Sequence, residues 1–204
     1  MKVGIIGSGG REHAICESLK NSNKIDEIFC FPGNAGTENI AKNISLDLEN
    51  FENIKNFVLK KKIDLVIIGP EKPLVDGLVD FLEQFNIKVF GPNKIASQLE
   101  GSKIFTKQLC QKFNIPTAKF DVFQDKNNAK KFLDKSNYPN VIKADNLASG
   151  KGVYICNNKN EAHIAIDEIF NGKFGIAKNL LIEEYLEGEE MSFFIISDGK
   201  IFKN

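Results

Sequence analysis

The feature that most constrains this chain is its opening, where a strand-length apolar run, Val3-Gly4-Ile5-Ile6, passes directly into Gly7-Ser8-Gly9-Gly10 and then into a helical pattern. A strand that ends in glycines and turns at once into a helix is half of a crossover unit, and crossovers build parallel sheets. The alternation recurs. Residues 25–31 read as a second strand, closed by Pro32-Gly33-Asn34-Ala35-Gly36. Phe51–Lys61 reads as a helix, and residues 64–68 as a strand ended by Gly69-Pro70. A helix near 74–85 leads to a strand over 88–90, which Gly91-Pro92 closes. The strand runs are nearly continuously apolar, as expected where both faces of a sheet are buried. The pattern predicts an α/β fold with a doubly wound parallel sheet, which binds ligands at the C-terminal ends of its strands. The first helix is predicted over 11–19, with Ala14, Ile15, Ser18 and Leu19 facing inward.

The pattern changes after about residue 102. A helix over 102–113 stops before Ile115-Pro116, and strands at 122–123 and 141–144 flank a polar helix near 127–134. Val153–Cys156 is expected to pair with 141–144 through a glycine-containing loop, followed by a helix over 161–169 and a strand over 180–183. Hairpins replace crossovers here, so the second part reads as α+β. The expected division is residues 1–102 and 103–204. The sequence ends just after the hairpin-like Ser197-Asp198-Gly199-Lys200, with no helix to close the second unit.

Composition removes several classes of function. Lys plus Arg and Asp plus Glu both number 27, so the balanced charge gives no support to nucleic-acid or membrane-surface binding. No apolar run reaches the roughly 18 residues that a membrane helix needs. Cys16, Cys30, Cys110 and Cys156 have no CxxC spacing and read as free thiols in a reducing compartment, so a cytoplasmic location is expected. No metal-ligand spacing is present. Of the two histidines, His13 reads as a packing or hydrogen-bonding residue and His163 as a surface one.

Two glycine loops carry the chemistry. Gly7-Ser8-Gly9-Gly10 precedes a helix N-terminus, where free backbone N–H groups and the helix dipole favour an anion, and Arg11 adds a forked donor suited to phosphate. A dinucleotide fingerprint would need its third glycine at position 12, which is Glu12, and an acidic residue where the second strand ends in Phe31-Pro32. The loop therefore reads as a site for a phosphorylated small molecule, or else as a tight turn without ligand. The second loop lies in Val141-Ile-Lys-Ala-Asp-Asn-Leu-Ala-Ser-Gly-Lys-Gly-Val153 and is not a phosphate loop of the GxxxxGK[ST] kind. Lys143 and the segment Gly150-Lys151-Gly152 read as a hinged flap that could fold over a triphosphate, or as a basic hairpin. The run from Leu180 to Glu190 could present backbone groups to an adenine edge and carboxylates to ribose.

In order along the chain, Ile6-Gly7-Ser8-Gly9-Gly10-Arg11-Glu12-His13-Ala14, Pro32-Gly33-Asn34-Ala35-Gly36-Thr37, Gly69-Pro70-Glu71-Lys72-Pro73-Leu74-Val75, Phe90-Gly91-Pro92, Leu99-Glu100-Gly101-Ser102-Lys103, Ile142-Lys143-Ala144-Asp145 and Glu187-Gly188-Glu189-Glu190 resemble the ATP-grasp superfamily, and more closely its phosphoribosylamine–glycine ligase family. The resemblance spans the whole chain. It implies a Rossmann-like substrate-binding domain followed by the first part of an ATP-grasp domain. It also implies the reaction of ATP, glycine and 5-phosphoribosylamine to ADP, phosphate and glycinamide ribonucleotide, in de novo purine synthesis. By the family pattern Gly9, Gly10 and Arg11 approach the ribose phosphate, and Asn34 and Glu71 lie near the sugar. Lys103 and Lys143 bind ATP phosphates under the loop of Gly150, Lys151 and Gly152. Residues Glu183, Glu184 and Leu186 face adenine, and Glu190 the ribose.

This sequence departs from the pattern at Asn146 and Ser149, where glycine and alanine are usual. Asn tolerates the left-handed backbone, and Ser could add a phosphate donor. The sequence also stops where the family continues. The carboxylates that hold Mg2+ or Mn2+, and the glycine site, are expected beyond it, so no catalytic residue or metal ligand is assigned within it. The 204-residue chain is accordingly expected to be inactive or nearly so alone, as a fragment or as one half of a split enzyme with a separate C-terminal half. Another ATP-grasp carboxylate–amine ligase and a non-catalytic nucleotide-binding module are the alternatives.

Overall fold

The computed structural model describes residues 1–145, 151–175, 178–197 and 199–203. The chain forms two compact units: Met1–Ile115 together with Asp145, and Pro116–Ala144 together with the residues from Lys151 onward.

In the first unit, strands β1 (Lys2–Gly7), β2 (Glu27–Pro32), β3 (Lys42–Asn43), β4 (Leu65–Ile68) and β5 (Val89–Phe90) form one sheet. Their order is β3-β2-β1-β4-β5, and every pairing is parallel. The pleat of β1 sends Val3 and Ile5 to one face, with Cys16, Ile28 and Cys30, and Ile6 to the other, with Phe31, Ile54, Val66 and Leu82. Both faces are therefore core, which explains the unbroken apolar runs. Gly4 makes room for a neighbouring strand, since a Cβ there would stand 2.9 Å from the Phe31 ring.

Helix α1 (Gly10–Lys20) follows β1, and α2 (Phe51–Lys61) precedes β4. The predicted inner face of α1 needs correction: Glu12 and Cys16 are its buried residues, while Ala14 and Ser18 are exposed. The helix is rotated so that a carboxylate, not an alanine, faces the sheet. The single helix expected over 74–85 is two, α3 (Glu71–Asp76) and α4 (Leu78–Glu83), because Gly77 adopts a left-handed φ of 97° between them. Three elements were not foreseen: a 3-10 turn at Thr37–Asn39, the two-residue β3, and α5 (Lys94–Gly101), which Asn93 caps by accepting the Ala96 N–H at 2.9 Å. Helix α6 (Lys103–Lys112) follows, capped by Ser102.

In the second unit, β6 (Phe120–Phe123), β7 (Asn140–Ala144), β8 (Val153–Cys156) and β9 (Leu180–Glu184) form an antiparallel sheet in the order β6-β9-β7-β8. The expected pairing of β7 with β8 is present, with Lys143 opposite Val153. Helices α7 (Lys126–Leu133) and α8 (Lys159–Phe170) bury Ala129, Leu133, Ala162, Ile166 and Ile169 against Ile142 and Ile182. Asp125 and Asn158 cap them, accepting N–H groups at 2.8 and 3.0 Å. The unit is α+β, as the hairpins predicted. A short hairpin of β10 (Ile196–Ser197) and β11 (Phe202–Lys203) follows, in which Ile196 and Phe202 are exposed.

Cys16, Cys30 and Cys156 are buried free thiols, and Cys110 is half-buried. The Cys16 and Cys30 sulfurs lie 3.2 Å apart, and burial pushes the Cys30 thiol up to about 12. No helix among the described residues is long and apolar enough to cross a membrane.

Candidate functional site

In the first unit the loops after β1, β2 and β4 converge, because these strands are adjacent and parallel, so their C-terminal ends share one edge. A cleft of about 350 Å³ opens there, lined by residues 7–12 with Leu48, Pro70 and Glu71. A larger depression of about 440 Å³ lies at the start of β2, among Lys20, Glu27, Glu38 and Lys42. Lys42 and Glu27 are ion-paired there, and no glycine loop lines it, so the smaller cleft is the candidate site.

Gly7 ends β1 with a φ of 125°, a conformation that L side chains rarely adopt. Gly9 caps α1 in an extended conformation, and its N–H donates to the Glu12 carboxylate Oε2 at 2.6 Å. Glu12 is only 3% exposed. Gly10 begins the helix in open space, since a Cβ there would meet nothing within 4 Å.

Asn34 ties the second loop to the first. Its Nδ2 donates to the carbonyls of Ser8 and Gly9 at 2.9 and 3.2 Å, while its Oδ1 accepts from the N–H groups of Gly36 and Thr37. Asn43 in turn donates to the Asn34 carbonyl at 2.8 Å. The Asn34 amide is thus engaged in fixing the cleft wall. His13 packs on this loop, so closely that a Cβ at Gly36 would stand 2.5 Å from its ring.

Arg11 and Glu71 meet at 2.5 Å, Nη1 to Oε1, with side-chain exposures of 71% and 38%. The Arg11 hydrogen bond holds the Glu71 carboxyl below the ordinary carboxylate range, and Glu71 pushes the guanidinium up. Exposed pairs of this kind contribute about 0–1 kcal/mol to stability. The pair is therefore better understood as two charged groups held ready at a cleft than as a brace.

The residues expected to hold ATP are divided between the units. Lys103 stands in the first turn of α6, in the first unit. Asp145 reaches the same turn: Ser102 Oγ donates to it at 3.0 Å and the Ile104 N–H at 3.1 Å. A carboxylate at a helix N-terminus is favoured by the dipole. In the second unit Lys143 on β7 pairs with Glu183 on β9, Nζ to Oε2, at 3.0 Å. Val141 stands opposite Glu183 and Lys143 opposite Leu181, so the pair is a diagonal on one face. Glu183 is 5% exposed, and such burial needs a charged partner. Glu184 closes the β6–β9 edge, its carboxylate accepting the Lys119 N–H at 2.8 Å. Lys151 is exposed, and the Gly152 carbonyl accepts the Ala144 N–H at 2.9 Å. Leu186 and Glu190 are exposed. Gly150, Asn146 and Ser149 lie outside the described residues.

Sequence reasoning assigned no site role to Glu12 or Asp145. A carboxylate in the first turn of a helix reads as a solvated charge, and the available signal was glycine spacing: Gly7, Gly9 and Gly69 leave the room that Glu12 fills.

Residues 1–100 match the family model described as "Phosphoribosylglycinamide synthetase, N domain", and residues 101–204 the one described as "Phosphoribosylglycinamide synthetase, ATP-grasp (A) domain". A curated phosphoribosylamine–glycine ligase from Agrobacterium fabrum is 48% identical over 201 residues, covering 98% of this chain and 48% of its own length. One from Mesorhizobium japonicum is 46% identical over 200 residues, with 98% and 47% covered. The crystal structure of the Thermotoga maritima phosphoribosylamine–glycine ligase superposes with a TM-score of 0.81 at 33% identity, over 99% of this chain and 48% of that one. The chain spans about half the length of the curated relatives it matches.

Proposed function

Since the chain belongs to the phosphoribosylglycinamide synthetase family, we propose that it provides the sugar-phosphate cleft and the first part of the ATP site of a phosphoribosylamine–glycine ligase. In that reaction ATP phosphorylates the glycine carboxylate. The amine of 5-phosphoribosylamine then attacks the acyl phosphate, giving glycinamide ribonucleotide, ADP and phosphate. The observation that carries this reading is the convergence of Gly9, Gly10 and Arg11 with Glu71 in one cleft at the strand ends. The free N–H groups at the start of α1 and the Arg11 fork receive the phosphate, and Arg11 leaves Glu71 as it does so. Glu71 is then free to accept a ribose hydroxyl. Asn34 holds the wall against which the sugar lies.

Lys103, Lys143 and Lys151, with Gly150 and Gly152, serve the phosphates of ATP, where cations offset the charge that builds on transfer. Glu183, Glu184 and Leu186 face adenine, and Glu190 the ribose. The functional boundary stands at about residue 102, in line with family matches ending at 100 and beginning at 101, although the compact unit runs on to Ile115. Among the described residues no cluster of three His, Cys, Asp or Glu could hold a metal ion, so no step is assigned to one here. The Mg2+ or Mn2+ ligands and the glycine site belong to the other half of the ligase. The enzyme works in the cytoplasm.

Calorimetric titration of the chain with ribose 5-phosphate, a stable stand-in for the amine, and separately with ATP tests this. Sugar-phosphate binding that Arg11→Ala abolishes, with weak ATP binding, is the expected result. Firm ATP binding without any sugar-phosphate binding would mark a bare nucleotide module instead.

A further inference from the structure

Glu12 is a carboxylate in the wrong place for a surface charge. It is 3% exposed, three residues into α1, and three glycines from two loops are shaped around it. A Cβ at Gly69, on the end of β4, would stand 1.8 Å from its Oε1. A Cβ at Gly7 would stand 2.6 Å from its Cδ, and one at Gly9 3.0 Å from its Oε2. The carboxylate therefore fills the space between the β1 and β4 loops. It also takes the Gly9 N–H, at 2.6 Å, which is one of the donors an incoming anion would use.

In a dinucleotide-binding turn this position is the third glycine of the fingerprint, where the helix packs closely on the strand, while the second, here Gly9, lets the backbone approach the pyrophosphate at the helix N-terminus. Here a carboxylate fills the packing space and takes the Gly9 N–H. A single phosphate can still bind at the remaining N–H groups and Arg11, whose fork lies on the Glu71 side of the cleft. A second phosphate in anhydride linkage would have to approach the loop where Glu12 has consumed a donor and placed a like charge. We infer that Glu12 is a specificity-determining residue, which restricts the first glycine loop to monophosphates and rejects pyrophosphate-linked ligands. The inference rests on the reading of this cleft as a sugar-phosphate site.

The test compares two probes that share a ribose 5-phosphate unit, ribose 5-phosphate itself and ADP-ribose, by calorimetry on the intact chain and two variants. Glu12→Gln keeps an acceptor for the Gly9 N–H but loses the charge. Glu12→Gly completes the G-x-G-x-x-G spacing. Circular dichroism melts establish that the variants fold, and if one does not, the other carries the comparison. Wild type is expected to bind ribose 5-phosphate in clear preference. Each variant should gain roughly 10-fold or more in ADP-ribose affinity, the like-charge penalty being relieved, with ribose 5-phosphate affinity changed less than about 3-fold. An unchanged ratio of the two affinities in folded variants overturns the inference and leaves Glu12 as a helix cap. Failure of wild type to bind ribose 5-phosphate overturns the underlying reading of the cleft, and the inference with it.

Discussion

The mould around Glu12 makes Gly69→Ala an informative perturbation. Gly69 does not need a left-handed backbone, so alanine is acceptable to the main chain, and the conflict lies wholly in space. The new Cβ would stand 1.8 Å from Glu12 Oε1, 2.6 Å from Cδ and 2.9 Å from Cγ. Those atoms end a side chain, so the clash is relieved by turning Glu12 out of its slot. The cost is then what Glu12 contributes in place. A hydrogen bond between a backbone N–H and a charged group contributes about 1.5–3 kcal/mol, and some of this returns when the freed carboxylate is hydrated. A net loss of about 2 kcal/mol is expected, which at a urea slope of about 2 kcal/mol/M moves the unfolding midpoint by roughly 1 M. Urea unfolding followed by far-UV circular dichroism measures it. Gly10→Ala is the control, since its Cβ meets nothing within 4 Å, and it should stay within about 0.5 kcal/mol of wild type. The decisive comparison is a double-mutant cycle with Glu12→Ala, which removes the obstacle. In that background Gly69→Ala should add less than about 0.5 kcal/mol. An undiminished cost there refutes the reasoning, because the damage would not pass through Glu12.

Other expectations follow from the same structure. The Glu71 carboxyl is held down by Arg11, so the stability this pair contributes is complete above the ordinary carboxylate range and is lost as pH falls through the lower folded value. Because Arg11 is mostly exposed, Glu71→Gln should cost no more than about 1 kcal/mol at neutral pH, with the difference vanishing in acid; a loss that persists in acid contradicts this. Ile166→Ala, at a fully buried position of α8, should destabilise by about 2–5 kcal/mol, against at most about 0.5 kcal/mol for Ile164→Ala, 59% exposed on the same helix. Equal melting shifts would place the wrong face of α8 inward. Maleimide labelling followed by mass spectrometry should modify Cys110 first, since Cys16, Cys30 and Cys156 are buried and burial pushes the thiols of Cys30 and Cys156 up to about 12 and about 11. Early labelling of Cys30 contradicts its burial.

Much of the architecture could be read from the sequence, for physical reasons. Strands buried on both faces must be continuously apolar, and crossovers must end them in glycine or proline turns, so the parallel sheet was visible in residues 2–6, 25–31 and 64–68, within two residues of the observed strands. Helix α2 was visible because Ile54 and Val58, one turn apart, point into the core while Asn50 caps its start. The split of α3 from α4 was not visible, because Leu74, Leu78 and Leu82 keep helical spacing across Gly77 and only the backbone shows its left-handed turn. Strand β3 has two residues, too few for any periodicity.

At the site, the sequence by itself determined which chemistry could occur: two glycine loops, the Arg11 fork, Glu71 and Lys143 at strand or helix ends, and nothing resembling a nucleophile–base pair. Whether these groups meet was decided only by the tertiary structure. Arg11 and Glu71 are 60 residues apart and come within 2.5 Å because β1 and β4 lie side by side in the sheet. Lys143 and Glu183 meet because β7 pairs with β9 in the register that sets them on one face. Glu12 is the sharpest case. Its sequence neighbours make it a charged residue in an exposed first turn, and three glycines brought from two strand ends make it a buried wall of the cleft. Burial of a charge depends on where distant backbone leaves space and a hydrogen-bond donor, and no local pattern records that.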